Sequence, residues 1–330
     1  MLYIWYLYHT FLSGYEIIML SPNNILMTFQ NNNLSKLKLF LFIGLYYLLL
    51  ASCEKTSFME LPYEPQKMVI NGIMTPDYGF WINLVKSAHV YNMSENRFEK
   101  VNSATIDYYE NGNLIKSVTG SGNGDYYETD FKPQAGNEYK FIVNAAGLPE
   151  TSTIVHIPKP VEIIEFDTTT NFIGSYYYDT ALRKEIDFNI NLKFDDPDSI
   201  ENYYMLGAAY WEDGAYRTIE ADCNDICINT YTRGELNILA CSDNYFNGET
   251  KELAIKLNVQ HYEGFGTRFR IIFYSIEEEY FKYLRTYAQN HDADTESIIY
   301  QEVMVSSNIE GGLGIMAAVS SSVIHFDYIF

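Results

Sequence analysis

Between Ile186 and Phe194 the chain sets apolar side chains at every second position (Ile186, Phe188, Ile190, Leu192, Phe194), with polar ones between them. Successive side chains of a strand point to opposite faces, so this segment predicts a strand with one face buried and one wet. Leu253, Ile255, Leu257 and Val259 repeat the pattern. Asn202–Trp211 is instead almost wholly apolar and aromatic, as expected of a central strand covered on both faces. Further strands are predicted at Val161–Phe166, Phe269–Tyr274, Glu302–Val305, Gly314–Val319 and Val323–Tyr328.

Toward the N-terminus the apolar runs are shorter and turn residues punctuate them. Met68–Ile73 and Phe80–Val85 flank Thr75-Pro76-Asp77-Tyr78-Gly79, a turn built from Pro and Gly. Ala104–Tyr108 and Leu114–Val118 flank Asn111-Gly112, a pair suited to the positive φ angles of a tight hairpin. Tyr126-Tyr127, Tyr139–Val143 and Thr151–Ile157 follow. These short strands without a helical period predict a small antiparallel sandwich over 66–158, a boundary at Lys159-Pro160, and a larger β domain over 159–330. One helix is expected within it, over 276–290. Ser275-Ile276-Glu277-Glu278 matches a capping box, and Tyr280, Phe281, Leu284, Tyr287 and Ala288 make one apolar stripe that stops at Asn290. The fold class read from the pattern is all-β with one packed α-helix.

A different pattern precedes all of this. Lys36-Leu37-Lys38 leads into twelve apolar residues, Leu39–Leu50, and then Ala51-Ser52-Cys53. That run is too short for a bilayer core, which takes about 20 helical residues. Basic, greasy and small-residue parts in this order match a secretory leader, and Leu50-Ala51-Ser52-Cys53 resembles a lipobox, the site of cleavage ahead of a lipid-modified Cys. Met27 as the start gives a leader of ordinary length over 27–52, with Met19 the alternative; residues 1–26 then read as a non-native extension, and 53–65 as a tether. Two or three acyl chains on Cys53 anchor a protein durably, each buried methylene contributing about 0.8 kcal/mol. Glu54 stands where inner-membrane lipoproteins commonly carry Asp, which favours the outer membrane, on its periplasmic face or at the cell surface.

Composition sharpens this in two places. The chain has 30 Tyr and 20 Phe, which favours strands and, more weakly, a recognition surface. Of 22 basic and 43 acidic residues, only Lys36, Lys38 and Glu16 precede residue 53, leaving 20 against 42, or −22. Such a surface repels phosphate backbones, so nucleic acid is not an expected partner.

Candidate chemistry is sparse. Cys223, Cys227 and Cys241 share one loop-rich stretch and are disulfide candidates; three pairings exist, with Cys227–Cys241 or Cys223–Cys241 straining the chain least. A zinc site would need a fourth ligand such as His261, and the spacing fits no zinc pattern, so no metal is assigned. Asp195-Asp196-Pro197-Asp198-Ser199-Ile200-Glu201 could gather oxygens around Ca²⁺ but lacks a calcium-loop spacing and reads as a solvated turn. Gly311-Gly312-Leu313-Gly314 has no following helix to hold a phosphate and reads as a turn or bulge. His89, His156, His261, His291 and His325 are isolated, no hydrolase motif is present, and no cofactor or catalytic residue is assigned.

Several phrases together resemble the DUF4249 family of uncharacterised Bacteroidota lipoproteins: Met68–Asp77, Asn202-Tyr203-Tyr204, the segment from Ser275 to Asn290, and Ser307–Ile315. The first sandwich also looks like immunoglobulin-like or carboxypeptidase-regulatory-like modules. The resemblance implies a tethered protein beside a TonB-dependent outer-membrane receptor, and it transfers no activity. The expectation is a binding or accessory lipoprotein whose ligand, whether small molecule, glycan or peptide, is unknown. A structural or adhesive surface module is the alternative, and a hydrolase with an unrecognised site is a third.

Overall fold

The computed structural model describes residues 65–88, 98–120, 122–198, 200–233, 236–296 and 304–330. The leader, Cys53, most of the tether and His89 lie outside the described residues. Residues Tyr63–Phe330 form one compact unit.

Three sheets make two stacked sandwiches. The first half of the chain supplies β1 (Met68–Thr75), β2 (Gly79–Lys86), β3 (Ala104–Glu110), β4 (Asn113–Thr119), β5 (Asp125–Glu128), β6 (Glu138–Ala145) and β7 (Thr151–His156). The second supplies β8 (Ile163–Tyr178), β9 (Ala181–Asp195), β10 (Tyr203–Glu212), β11 (Ala215–Ile219), β12 (Ala221–Cys223), β13 (Ile228–Arg233), β14 (Leu236–Ser242), β15 (Thr250–Tyr262), β16 (Gly266–Ile276), the helix α1 (Glu278–Glu296) and β17 (Leu313–Ile329). One four-stranded sheet runs β4-β3-β6-β7 and another β12-β15-β9-β8. Both face a nine-stranded sheet of order β13-β14-β10-β16-β17-β1-β2-β5, with β11 attached to β10.

This large sheet crosses the boundary expected at Lys159-Pro160 without a break. Its joint is β17, whose first residues pair in parallel with β1 (Leu313 opposite Val69, Ala318 opposite Met74) and whose remainder pairs antiparallel with β16. The last strand of the chain thus completes the first sandwich: Ile309, Met316 and Ala318 are buried in the same core as Ile70, Phe80, Tyr108 and Phe141. A chain ending at 158 would leave that apolar surface open to water.

Alternation in the sequence is realised as alternation in burial. In β9 Ile186, Phe188, Ile190, Leu192 and Phe194 are buried, and β15 sends Leu253, Ile255, Leu257 and Val259 into the same core. Across from them β10 and β16 contribute Tyr204, Leu206, Phe269 and Phe273. Phe188 lies 4.9 Å from the rings of both Phe269 and Tyr328, and Phe194 4.4 Å from Phe273. Much of the aromatic enrichment is therefore core packing, with rings tilted or edge-on as their quadrupoles favour.

Four expectations need correction. Gly314–Val319 and Val323–Tyr328 are one strand, because Ser320, Ser321 and Ser322 stay paired with Ser275, Tyr274 and Phe273. Met304 and Val305, the described part of the strand expected at 302–305, carry no strand. The helix runs Glu278–Glu296, and the capping box does not form. Ser275 belongs to β16, with its hydroxyl buried and unbonded, and Glu277 caps by its main chain, its carbonyl accepting from the Phe281 N–H at 3.0 Å. The apolar stripe is as expected: Phe281, Leu284 and Ala288 pack on Tyr203, Tyr231, Ala240 and Val319.

Candidate functional site

α1 covers part of the outer face of the large sheet, and the rest of that face holds the described groove. The β10–β11 hairpin builds it. Its turn is Asp213-Gly214, with φ of 50° and 81°, the paired positive values that match strand twist in a two-residue hairpin. This register sets Trp211 directly opposite Tyr216 on one face, their rings 5.0 Å apart and nearly perpendicular. The Thr267 hydroxyl donates to the Trp211 carbonyl and ties the hairpin to β16.

Beside the aromatic pair, β16 and β17 present their own outward residues. Arg268 is opposite Asp327 and Arg270 opposite His325. Arg268 donates from Nε to Asp327 Oδ1 at 3.0 Å, and its other contact, from an η nitrogen to Oδ2, is 3.5 Å. Being opposite charges in solvent, this pair contributes little to stability and remains free to exchange partners. Arg270 places its guanidinium 3.9 Å over the Tyr216 ring, a cation–π contact, while its Nε is buried and unbonded. Trp211, Tyr216, Thr267, Arg268, Asp327, Tyr328 and Ile329 line an open groove of about 480 Å³, with Arg270 beside it over the Tyr216 ring. Aromatic faces and a paired guanidinium and carboxylate, set on a nine-stranded sheet, are the equipment of a binding surface.

A buried polar cluster lies near the end of the second core. His261 is 4% exposed, with Nε2 3.3 Å from Glu212 Oε1. Its Nδ1 accepts from the Tyr262 N–H at 2.9 Å, which places the neutral-ring proton on Nε2. Phe265 stacks on the ring at 4.1 Å, and Tyr210 donates to Glu212 at 3.2 Å. Burial pushes the His261 pKa down, against the opposing pull of Glu212. Both ring nitrogens already face protein groups, so neither is poised to take a proton from a nucleophile.

The other residues singled out from the sequence are scattered. Cys223, Cys227 and Cys241 are buried together as free thiols in the second core. In the 195–201 turn Asp196 accepts from Tyr204 and, at 2.9 Å, from the Gly248 N–H, and the Asn202 side chain donates to the carbonyls of Pro197 and Ile200. Among the described residues no group of three His, Cys, Asp or Glu is placed to hold a metal ion. Gly311-Gly312-Leu313-Gly314 is where the chain slips between β1 and β7. Gly314 has φ of 103°, and a Cβ there would lie 2.0 Å from the Ile70 carbonyl oxygen. His156 is on the surface beside Glu138 and Glu277, and His325 borders the groove. The groove residues Trp211, Tyr216, Arg268 and Asp327 went unnoticed in the sequence. The signal that could have found them is Glu212-Asp213-Gly214, a hairpin turn, which fixes Trp211 and Tyr216 as cross-strand neighbours.

The family model described as Domain of unknown function (DUF4249) matches residues 54–324. No curated protein matches the chain. Similar solved structures include the collagen binding domain of Erysipelothrix rhusiopathiae surface protein RspB, at 8% identity over 78% of this chain and 96% of that one, TM-score 0.16. Collagen adhesin (CNA) from S. aureus gives 8% identity over 81% and 96%, TM-score 0.16. CfaE, the adhesive subunit of CFA/I fimbria of enterotoxigenic Escherichia coli, gives 8% over 79% and 87%, TM-score 0.16. At that TM-score these likenesses carry no argument.

Proposed function

Since the chain belongs to the DUF4249 family, whose description assigns no activity, we propose from its own residues that it is an outer-membrane lipoprotein, anchored through Cys53, that binds its ligand across the Trp211–Tyr216 groove as an accessory component beside a TonB-dependent receptor. The observation that carries the binding part is the hairpin register, which sets two aromatic rings beside the Arg268–Asp327 pair on one face of the large sheet. Large, stiff aromatic side chains supply contact area at little entropic cost, and the charged pair can trade its internal bonds for ligand hydroxyls, amides or carboxylates. The anchoring part is supported by the lysine-flanked leader and the lipobox-like Leu50–Cys53.

The test is affinity capture of the tagged chain from detergent-solubilised outer membranes, run beside Trp211→Ala and Cys53→Ser. A TonB-dependent receptor recovered with the wild type supports the accessory role, and its absence from a fully extracted wild-type sample refutes it. A Cys53→Ser chain that still sediments with the outer membrane contradicts the lipid anchor.

A further inference from the structure

Three sulfur atoms in the second core have no part in the groove. Cys241, on β14, stands opposite Ile228, the residue after Cys227. Cys227 and Cys241 are buried in the same core, and the nearness of Cys227 raises the Cys241 pKa. Cys223 belongs to the facing sheet, on β12 opposite Ile255. All three side chains are buried: relative exposures are 6% for Cys223, 2% for Cys227 and 1% for Cys241. The main-chain N–H of Cys227 donates to Asp225 Oδ1 at 3.0 Å, and Asp225 is gripped by the Lys251 ammonium, with 2.8 Å to each carboxylate oxygen. That grip fixes the main chain just ahead of β13 and holds Cys227 beside Cys241. Cys227 thus stands one residue from direct register with Cys241 on the neighbouring strand, an approach a disulfide can span, whereas Cys223 belongs to the opposite sheet.

We propose that the mature protein carries a disulfide between Cys227 and Cys241, joining the edge strand β13 to β14, and that Cys223 remains a thiol. The bond forms by exchange. One cysteine, as thiolate, attacks a donor disulfide and releases one donor thiol; the second cysteine then displaces the other, so that two protein thiols lose two electrons and two protons and the donor disulfide becomes two thiols. In the folded core burial pushes the Cys223 thiol up to about 11, and contact with Cys227 followed by burial pushes Cys241 well above the ordinary thiol range. Exchange therefore takes place during folding, before β13 docks. The bond then holds the outermost strand of the large sheet, whose Tyr231 packs against Phe281 of the helix. Meeting a disulfide donor in the cell rests on the exported-lipoprotein reading; the choice of partner does not.

The full chain, isolated from cell envelopes, is denatured without reductant, alkylated with iodoacetamide, then reduced and alkylated with N-ethylmaleimide before peptide mapping. Iodoacetamide on Cys223 and N-ethylmaleimide on Cys227 and Cys241 is the expected result. N-ethylmaleimide on Cys223 overturns the pairing, and iodoacetamide on all three overturns the bond in cells. Refolding the reduced chain in mixed reduced and oxidised glutathione separates pairing from compartment. Cys227 bonded to Cys241 in that buffer supports the pairing, so that open thiols in the envelope would then fault the export reading; any other pair overturns it. Cys227→Ser with Cys241→Ser lowers the Tm by about 6–12 °C relative to the oxidised wild type, the loss expected from opening a loop of about 15 residues, and a Tm unchanged by that double substitution counts against a closed bond.

Discussion

Glu277 should make this protein lose stability as the pH rises from 4.5 to about 7. Its carboxylate is 14% exposed and joins three elements at the start of the helix. Oε1 accepts from the main-chain N–H of His156 at the end of β7, and Oε2 from that of Ala318 in β17, at 3.1 Å. Burial pushes its pKa from 4.5 up to about 7, even though both N–H donors act to lower it. A group whose folded pKa is raised stabilises the fold fully below its unfolded pKa and gives that stabilisation up as the pH climbs through the folded value. Here the window runs from 4.5 to about 7. At about 1.4 kcal/mol per pKa unit, the swing is on the order of 3 kcal/mol. Equilibrium urea unfolding at steps across pH 4.5–8 measures it, with Glu277→Gln as the reference. Gln cannot ionise, but it turns one acceptor into an amide that faces an N–H, so the variant starts from a deficit of about 1–3 kcal/mol. The reading lies in the change of the difference with pH: relative to the variant, the wild type should fall by about 3 kcal/mol as Glu277 ionises. A difference constant over the whole range would refute the reasoning.

Asp243 is 1% exposed, with Oδ1 unbonded, and burial raises its pKa against the restraint of the Asn202 N–H, with Asp196 adding to the rise. Its raised pKa means that the stabilisation it offers is complete at low pH and is lost as the pH climbs, so in urea unfolding the wild type should lose stability relative to Asp243→Asn as the pH rises; a difference that does not change with pH would count against this. His261 behaves in the opposite sense: its lowered pKa gives stability that is complete above 6.5 and declines as the pH falls. Nitrogen-15 NMR should show a neutral ring protonated on Nε2 at pH 6.5, and an imidazolium signal there would contradict the site description. Gly314→Ala meets both a positive φ and the Ile70 carbonyl, so it should cost more than about 4 kcal/mol or prevent folding. Gly147, with φ of 78° and open space around it, should cost only about 1–2 kcal/mol when changed to Ala. Equal Tm losses at the two glycines would undo the explanation of the Gly311–Gly314 squeeze.

What could be read from the sequence was whatever repeats with a short period. β9 and β15 announce themselves by alternation, β3 and β4 by Asn111-Gly112, and the helix by its stripe of Phe281, Leu284 and Ala288. Non-local partners were invisible. Nothing local in Leu313–Ala318 says that it will lie parallel to β1, more than two hundred residues earlier, and that pairing turns two expected domains into one continuous sheet. Ser275 and Glu277 misled for a related reason: the local capping motif was overruled by a ladder to Ser320 and by donors on His156 and Ala318. The groove was hidden because its residues come from the ends of β10, β11, β16 and β17, each unremarkable alone.

The central claim is that ligand is held between Trp211, Tyr216 and the Arg268–Asp327 pair. Its most direct measurement is binding of the purified chain to arrays of oligosaccharides and peptides, followed by titration of the best ligand against the wild type, Trp211→Ala and Arg268→Ala. The account predicts at least about a 30-fold loss of affinity for Trp211→Ala, the effect of removing an aromatic anchor worth about 2 kcal/mol once a ligand covers it, and a measurable loss for Arg268→Ala. A ligand that binds all three proteins equally would contradict it.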